Sequence, residues 1–250
     1  MELQNRIVLI TGAARRVGRV MALELARRGV RLALHCHHSK TEAEELKRQL
    51  ENSGGVAEIF PADLADFTQT ASLIENVHEH YGGFDVLINN AAIFECTPLD
   101  EVTEADWDRH LSINLKAPFF LCRDAARAMR QTDIPEHRGG KIINIADAEI
   151  VHPWPAYLPY SISKAALATM TKGLARTLAP DIQVNTIGPG TVLPPADEEG
   201  QEAIDQTLRR IPLGRLGSPM DIAEAVCFLL EKGDYITGAF ISVDGGSSIV

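Results

Sequence analysis

Two side chains one helical turn apart make the first chemical suggestion in this 250-residue sequence. In Tyr160-Ser161-Ile162-Ser163-Lys164 a phenol and an ammonium stand at i and i+4, on one face of a helix. A phenol in water ionises near pH ~10, so at neutrality it is a slow acid and seldom a base. An ammonium beside it favours phenolate and is expected to lower that pKa into a useful range. A surface tyrosine and lysine one turn apart are common. This pair, however, opens the helix after the fifth apolar strand, at the edge of a parallel sheet where ligands bind.

A second constellation lies near the start of the chain. Thr11-Gly12-Ala13-Ala14-Arg15-Arg16-Val17-Gly18 joins an apolar strand to an amphipathic helix. A glycine directly after a strand permits a tight turn, and the helix N-terminus offers free N–H groups and partial positive charge to a pyrophosphate. Two glycines six apart are a weak signal alone. Arg15 and Arg16 add two guanidinium groups suited to anions, with a solvated basic pair on a helix cap as the alternative. At the end of the second strand, His35-Cys36-His37-His38-Ser39-Lys40 lacks the acid that would bond an adenosine ribose. Imidazoles, a hydroxyl and an ammonium there tolerate a 2′-phosphate. Strand alternation puts His35 and His37 on one face, but no carboxylate or cysteine completes a metal-ligand spacing. These histidines are expected to close the adenine end of a cofactor groove. No metal is expected.

The elements that must position these groups alternate regularly. Apolar strands are expected at Ile7–Ile10, Leu32–Leu34, Ala57–Phe60, Val86–Ile88, Lys141–Ile145, Ile182–Ile187 and Ala239–Val243. Helical periodicity covers Val17–Arg28, Thr41–Leu50, Thr68–His80, a long stretch Glu104–Met129 bent near Pro118, and Ala156–Leu178. This order predicts βαβ units and one α/β domain over residues 1–250: a parallel, seven-stranded sheet covered on both faces.

Composition narrows the function classes. The chain carries 24 basic and 34 acidic residues, a net charge of −10, which disfavours broad binding to nucleic acid or anionic lipid. Its four cysteines are scattered, without disulfide or zinc spacing, as expected for a reducing cytoplasm. No stretch approaches the ~18 apolar residues of a membrane span. A cytoplasmic protein with a small-molecule substrate is expected.

Taken together, Thr11 to Gly18, Asn89-Asn90-Ala91, Tyr160 to Lys164 and Pro189-Gly190 resemble, in their order, the short-chain dehydrogenases/reductases. Tyr235 to Gly238 followed by Val243-Asp244-Gly245-Gly246 is similar to that family's C-terminal strand. The resemblance spans essentially the whole chain and implies a Rossmann-type doubly wound sheet. It implies that Tyr160 transfers a proton while hydride passes to or from nicotinamide. Lys164 would hold ribose hydroxyls and tune Tyr160, and Asn114 would anchor a proton-relay water. Gly12, Arg15, Arg16, Val17, Gly18, His37, His38, Ser39, Asp63, Leu64, Asn90, Ala91, Pro189 and Gly190 would line the cofactor. A homotetramer is also implied.

Two departures from the family pattern point further. Arg16 stands where the loop's middle glycine is usual, and Asp147 stands where a substrate-binding serine is usual. Both features, together with Phe94, resemble the pteridine reductases. The resemblance gives Arg16 contacts to phosphate and pterin, and makes Phe94 a stacking wall; Phe94 as core filling is the alternative. Where that subfamily has an arginine at the 2′-phosphate, this chain has His38, and Ala92 and Ile93 replace its serines. NADPH remains the expected cofactor, supported by Arg15 and Ser39. An ionised Asp147 would repel a carbonyl oxygen gaining charge by about 4 kcal/mol at ~4 Å and an effective dielectric of ~20. It would instead accept from the amino and N–H groups of a pterin. Reduction of dihydrobiopterin- or dihydromonapterin-like substrates is therefore expected, with dihydrofolate left open. Ketone or 3-oxoacyl-thioester reduction is the alternative, and a non-catalytic dinucleotide sensor a third. The Pro- and acid-rich stretch after Gly190 is expected to belong to a substrate lid over about residues 191–212.

Overall fold

The computed structural model describes residues 1–132, 139–192 and 201–250, with the side chains of 201–204 left aside. Seven parallel strands form one sheet in the order β3-β2-β1-β4-β5-β6-β7. They are β1 (Ile7–Ile10), β2 (Arg31–Cys36), β3 (Val56–Pro61), β4 (Val86–Asn89), β5 (Gly140–Ile145), β6 (Ile182–Pro189) and β7 (Phe240–Val243). All residues of β1, β4 and β5 are buried, as a sheet covered on both faces requires. Helices α1 (Arg16–Ala26), α2 (Lys40–Asn52) and α8 (Pro219–Glu231) cover one face through Met21, Leu25, Leu46, Ile222 and Val226. Helices α3 (Phe67–Tyr81), α5 (Ala117–Gln131) and α6 (Leu158–Leu178) cover the other through Leu73, Ile74, Leu121 and Leu178. This is a Rossmann-type α/β fold. Strand order reverses between β1 and β4, which opens a crevice at their carboxyl ends.

Two expectations change. The stretch Glu104–Met129 is not one helix bent at Pro118. It divides into α4 (Glu104–Leu111), a π-helical turn at Ser112–Lys116, and α5, where Pro118 sits harmlessly in the first turn. The wider turn carries Asn114. Two further helices, α7 (Gln201–Arg209) and α8, were absent from the periodicity reading. Ser218-Pro219-Met220-Asp221 signalled the second: Ser218 and Asp221 form a capping box with proline just inside. Of the expected lid, residues 193–200 lie outside the described residues. No helix among the described residues is long and apolar enough to cross a membrane.

A buried polar ladder fixes the carboxyl half of the sheet against α6. Asn89 Nδ2 donates to Asn144 Oδ1 at 2.8 Å, and Asn144 Nδ2 donates to Thr171 Oγ1 at 2.8 Å. Thr186 Oγ1 also donates to Thr171 Oγ1, at 2.8 Å. Four elements thereby share one chain of bonds in the core. Asn144→Ala should cost about 2–4 kcal/mol, because it opens a cavity and removes the buried bonds to Asn89 and Thr171. Urea unfolding measures this, and a loss below about 1 kcal/mol would show the ladder to be dispensable.

Candidate active site

The loop after β1 is shaped by its smallest and its most strained residues. Gly12 has φ +63°, and a Cβ on Gly18 would collide with the Gly12 carbonyl oxygen, so loop and helix pack as only glycine allows. Arg16 also lies in the left-handed region, at φ +51°, where a side chain costs roughly 1–2 kcal/mol. The glycine usual in related loops would sit there without that cost. Arg15 and Arg16 are both exposed at the N-terminus of α1, whose first turn carries no acidic residue. Arg15 makes only a loose surface pair with Glu42, 3.7 Å apart.

Beneath the loop, Thr11 Oγ1 accepts from Asn90 N at 2.9 Å and Ala91 N at 3.0 Å. Asn90 Nδ2 returns a bond to Thr11 O at 2.8 Å. His35 is placed differently from its expected role. It is buried, accepts from Gly12 N at Nδ1 (3.1 Å) and donates from Nε2 to Ala62 O (3.0 Å). Burial lowers its pKa to about 4. It is a neutral buttress under the loop rather than a wall of the groove. His37 and His38 are exposed and lie against each other, ring centres 3.6 Å apart and planes tilted by 34°. His37 and Ser39 line the cleft. His38 and Asp63 stand beside it, with Asp63 Oδ1 3.8 Å from His37 Nδ1, and Leu64 belongs to the core.

The cleft encloses about 640 Å³ and runs from this loop to the mouth of β5. Gly12, Arg15, Arg16, Val17, Gly18, Asn90, Ala91, Phe94, Asp147, Tyr160, Lys164, Pro189 and Gly190 all line it. Tyr160 Oη donates to Asp147 Oδ2 at 2.7 Å, and Asp147 Oδ1 accepts from Glu149 N at 2.7 Å. Lys164 Nζ donates to Ile145 O at 2.7 Å. Asn114 lies behind the cleft rather than on it. Its amide bonds Ile93 N, Ile93 O and Ser163 Oγ, and Ser163 Oγ donates to Tyr160 O at 2.6 Å. The π-turn therefore braces both the Phe94 loop and the start of α6. Ser163 and Thr11 escaped the sequence reading, although each lies within a motif it named.

The electrostatics correct one expectation. Burial, followed by the charge of Asp147, raises the Tyr160 phenol well above its ordinary value. The lysine does not govern its acidity. Burial likewise lifts the Asp147 carboxyl, against bonds from Tyr160 and Glu149, and lowers the Lys164 ammonium to about 8. Tyr160 is thus a protonated phenol whose hydroxyl is shared with a carboxyl that burial lifts above the ordinary carboxylate range. Phe94 is not core filling. It is exposed at 45%, stacks on Tyr157 at 4.2 Å with 3° between planes, and meets Tyr160 edge-on at 4.7 Å. Trp154 and Tyr157 extend this aromatic wall. Among the described residues no group of side chains could hold a metal ion.

A family model described as enoyl-(acyl carrier protein) reductase matches residues 12–248. The chain is 33% identical to the 3-oxoacyl-[acyl-carrier-protein] reductase FabG of Thermotoga maritima over 249 residues, covering 98% of this chain and 99% of the relative. The structure of FolM alternative dihydrofolate reductase 1 from Brucella canis, complexed with NADP, superposes with a TM-score of 0.89 at 33% identity. That match covers 100% of this chain and 97% of the other. A blue fluorescent protein from a metagenomic library, in complex with NADPH, gives 0.88 at 35%, covering 99% and 100%. Fold and relatives together define a Rossmann-type oxidoreductase. The chain belongs to the short-chain dehydrogenase/reductase family.

Two outcomes test the loop. Because His35 is neutral when folded, its folded pKa lies below the unfolded value. Its contribution to stability is complete above pH ~6.5 and is lost as pH falls toward 4. The stability gap between wild type and His35→Gln should therefore narrow by about 2 kcal/mol from pH 7.5 to pH 5. A constant gap in denaturant titrations would place a charged imidazole there. Arg16→Gly should leave the ligand-free protein equally stable, or more stable by up to about 1 kcal/mol. It should weaken dinucleotide binding in calorimetry, and undiminished affinity would remove the functional reason for the strain.

Proposed function

We propose that this protein is an NADPH-dependent pterin reductase, acting on a C=N bond. The carrying observation is the 2.7 Å bond between Tyr160 and a carboxylate, Asp147, where a carbonyl reductase would place a neutral donor. The cofactor assignment rests on fit. The Gly12–Gly18 contact leaves room for close backbone approach, the α1 N-terminus is free of acids, and Arg15 and Arg16 flank it. His37, His38, Ser39 and Lys40 meet the adenosine end without a carboxylate at the end of β2, which supports the 2′-phosphorylated form. Relatives complexed with NADP and NADPH support the same reading.

When bound, the reduced nicotinamide supplies a hydride to the ring carbon of the substrate. Lys164 would bond ribose hydroxyls beside it. Arg16 and Phe94 would hold the flat pterin, one by charge and one by its open ring face. Asp147 would accept from an amino or ring N–H donor and orient the heterocycle. Tyr160 gives its phenolic proton to the ring nitrogen as the carbon receives the hydride, so the C=N bond becomes CH–NH. Asp147, once protonated from solvent, would return that proton to the Tyr160 phenolate and revert to a carboxylate, a cycle that burial assists by raising its pKa. Asn114 and Ser163 keep Tyr160 in register from behind.

A second reading has support of its own. The FabG relative is as similar to this chain as the FolM structure, and a protonated Asp147 would no longer repel a carbonyl oxygen. Ketone or 3-oxoacyl-thioester reduction is therefore the competing function.

Steady-state NADPH oxidation separates the two. Wild type should reduce dihydropterins, and Tyr160→Phe should lower kcat by on the order of 10²–10⁴ with little change in cofactor affinity. Asp147→Ser should depress pterin turnover while ketone turnover persists or rises. Turnover of a 3-oxoacyl thioester with no activity on any dihydropterin would install the second reading.

A further inference from the structure

Glu149 is an acid that the proposed chemistry leaves unused. It follows Asp147 by two residues, in the 3₁₀ turn Ala148–Val151 at the end of β5. Its backbone N–H serves Asp147, and the residue lines the cleft, as do Trp154 and Tyr157. A free surface glutamate would sweep through many rotamers. This one is held: its Oε1 accepts from Ser247 Oγ at 2.9 Å. Ser247 opens a short 3₁₀ turn, Ser247–Ile249, which Asp244 pins by accepting from Gly246 N at 3.0 Å and Ser248 N at 2.8 Å. The second oxygen, Oε2, has no hydrogen-bond partner among the described residues. No lysine, arginine or histidine among them comes within ion-pairing distance of Glu149. The C-terminal turn thus presents an oriented, unneutralised negative charge to the substrate end of the cleft.

We propose that Glu149 is a specificity-determining residue that selects the outer arm of the substrate by charge. Neutral or cationic arms rich in hydrogen-bond donors are accepted, and arms bearing carboxylates are turned away. The inference rests on the reading of this cleft as the substrate site, and for pterins on the pterin reading. An acceptor with an open lone pair gains a bond from a hydroxyl or amino group. Against a carboxylate it meets like charge in a partly desolvated groove, where such juxtaposition is costly. On a pterin scaffold, unconjugated dihydropterins with hydroxylated side chains are then the substrates. Dihydrofolate, with its glutamate tail, is discriminated against.

The test compares dihydrobiopterin with dihydrofolate on wild type, Glu149→Gln and Glu149→Lys under saturating NADPH. Glutamine keeps the acceptor for Ser247 and removes only the charge. Wild type should favour dihydrobiopterin in kcat/KM by on the order of tenfold or more, mainly through KM. Glu149→Gln should shrink that ratio, Glu149→Lys should invert it, and added salt should weaken the preference in wild type and in Glu149→Lys but leave Glu149→Gln unmoved. The KM for NADPH should not move. A ratio unchanged by Glu149→Gln overturns the proposal while leaving pterin reduction standing. If no pterin is turned over, the pterin reading fails and ethyl acetoacetate against acetoacetate poses the same charge question. Both pairs can also be read without turnover, as Kd from quenching of Trp154 fluorescence in a Trp107→Phe background. A neutral-to-anionic preference that Glu149→Gln abolishes supports the inference on either scaffold, and its absence on both overturns it.

Discussion

Removing ionisable groups from water at one edge of a parallel sheet is the constraint around which this molecule is organised. Asp147, Tyr160 and Lys164 all lose solvent there, and each finds a partner that keeps its burial tolerable. The Ile145 carbonyl accepts from the lysine, the Glu149 amide donates to the aspartate, and the aspartate accepts from the phenol. These partners are either backbone groups at the end of β5 or side chains placed by it. The reactive cluster therefore inherits its rigidity from the strand and from the polar ladder running through Asn144. The same burial displaces each ionisation toward its neutral form: it raises the carboxyl and the phenol and lowers the ammonium.

Strain and bracing concentrate around the other half of the cleft. Arg16 occupies a backbone conformation that glycine would hold freely, and the fold tolerates it because the loop is secured from several sides. His35 ties that loop to the segment after β3, while Thr11 and Asn90 tie it to the segment after β4. Asn114, on its π-turn, ties the Phe94 loop to α6. A widened helical turn re-aims one side chain without moving the helix axes, which is how such turns often serve sites.

Relatives named for different activities match this chain at equal identity. Overall similarity therefore carries little information about substrate, and the decision falls to a few side chains facing the cleft. At those places this chain has a carboxylate beside the phenol, an aromatic wall of Phe94, Tyr157 and Trp154, and a second carboxylate steadied by the C-terminal turn.

Much of this was legible in the residues themselves. Seven short apolar runs, fully buried in β1, β4 and β5 and partly exposed at the edges, determined the sheet, and the spacing of Tyr160 and Lys164 determined that they share a helix face. Local glycine signals placed the first loop, whereas the start of α8 went unread although Ser218, Pro219 and Asp221 mark it. What depended on tertiary structure was everything set by burial and by distant neighbours. Periodicity could not distinguish a long helix from two helices joined by a π-turn, because one inserted residue barely disturbs the apolar pattern around Asn114. The strand pattern could not say that His35 ends beneath the loop while His37 ends outside it. Nor could a Tyr–Lys spacing reveal that desolvation and Asp147, rather than the lysine, govern the phenol. A pKa reports the whole surrounding dielectric and every nearby charge, and those surroundings exist only once residues far apart in sequence have packed together.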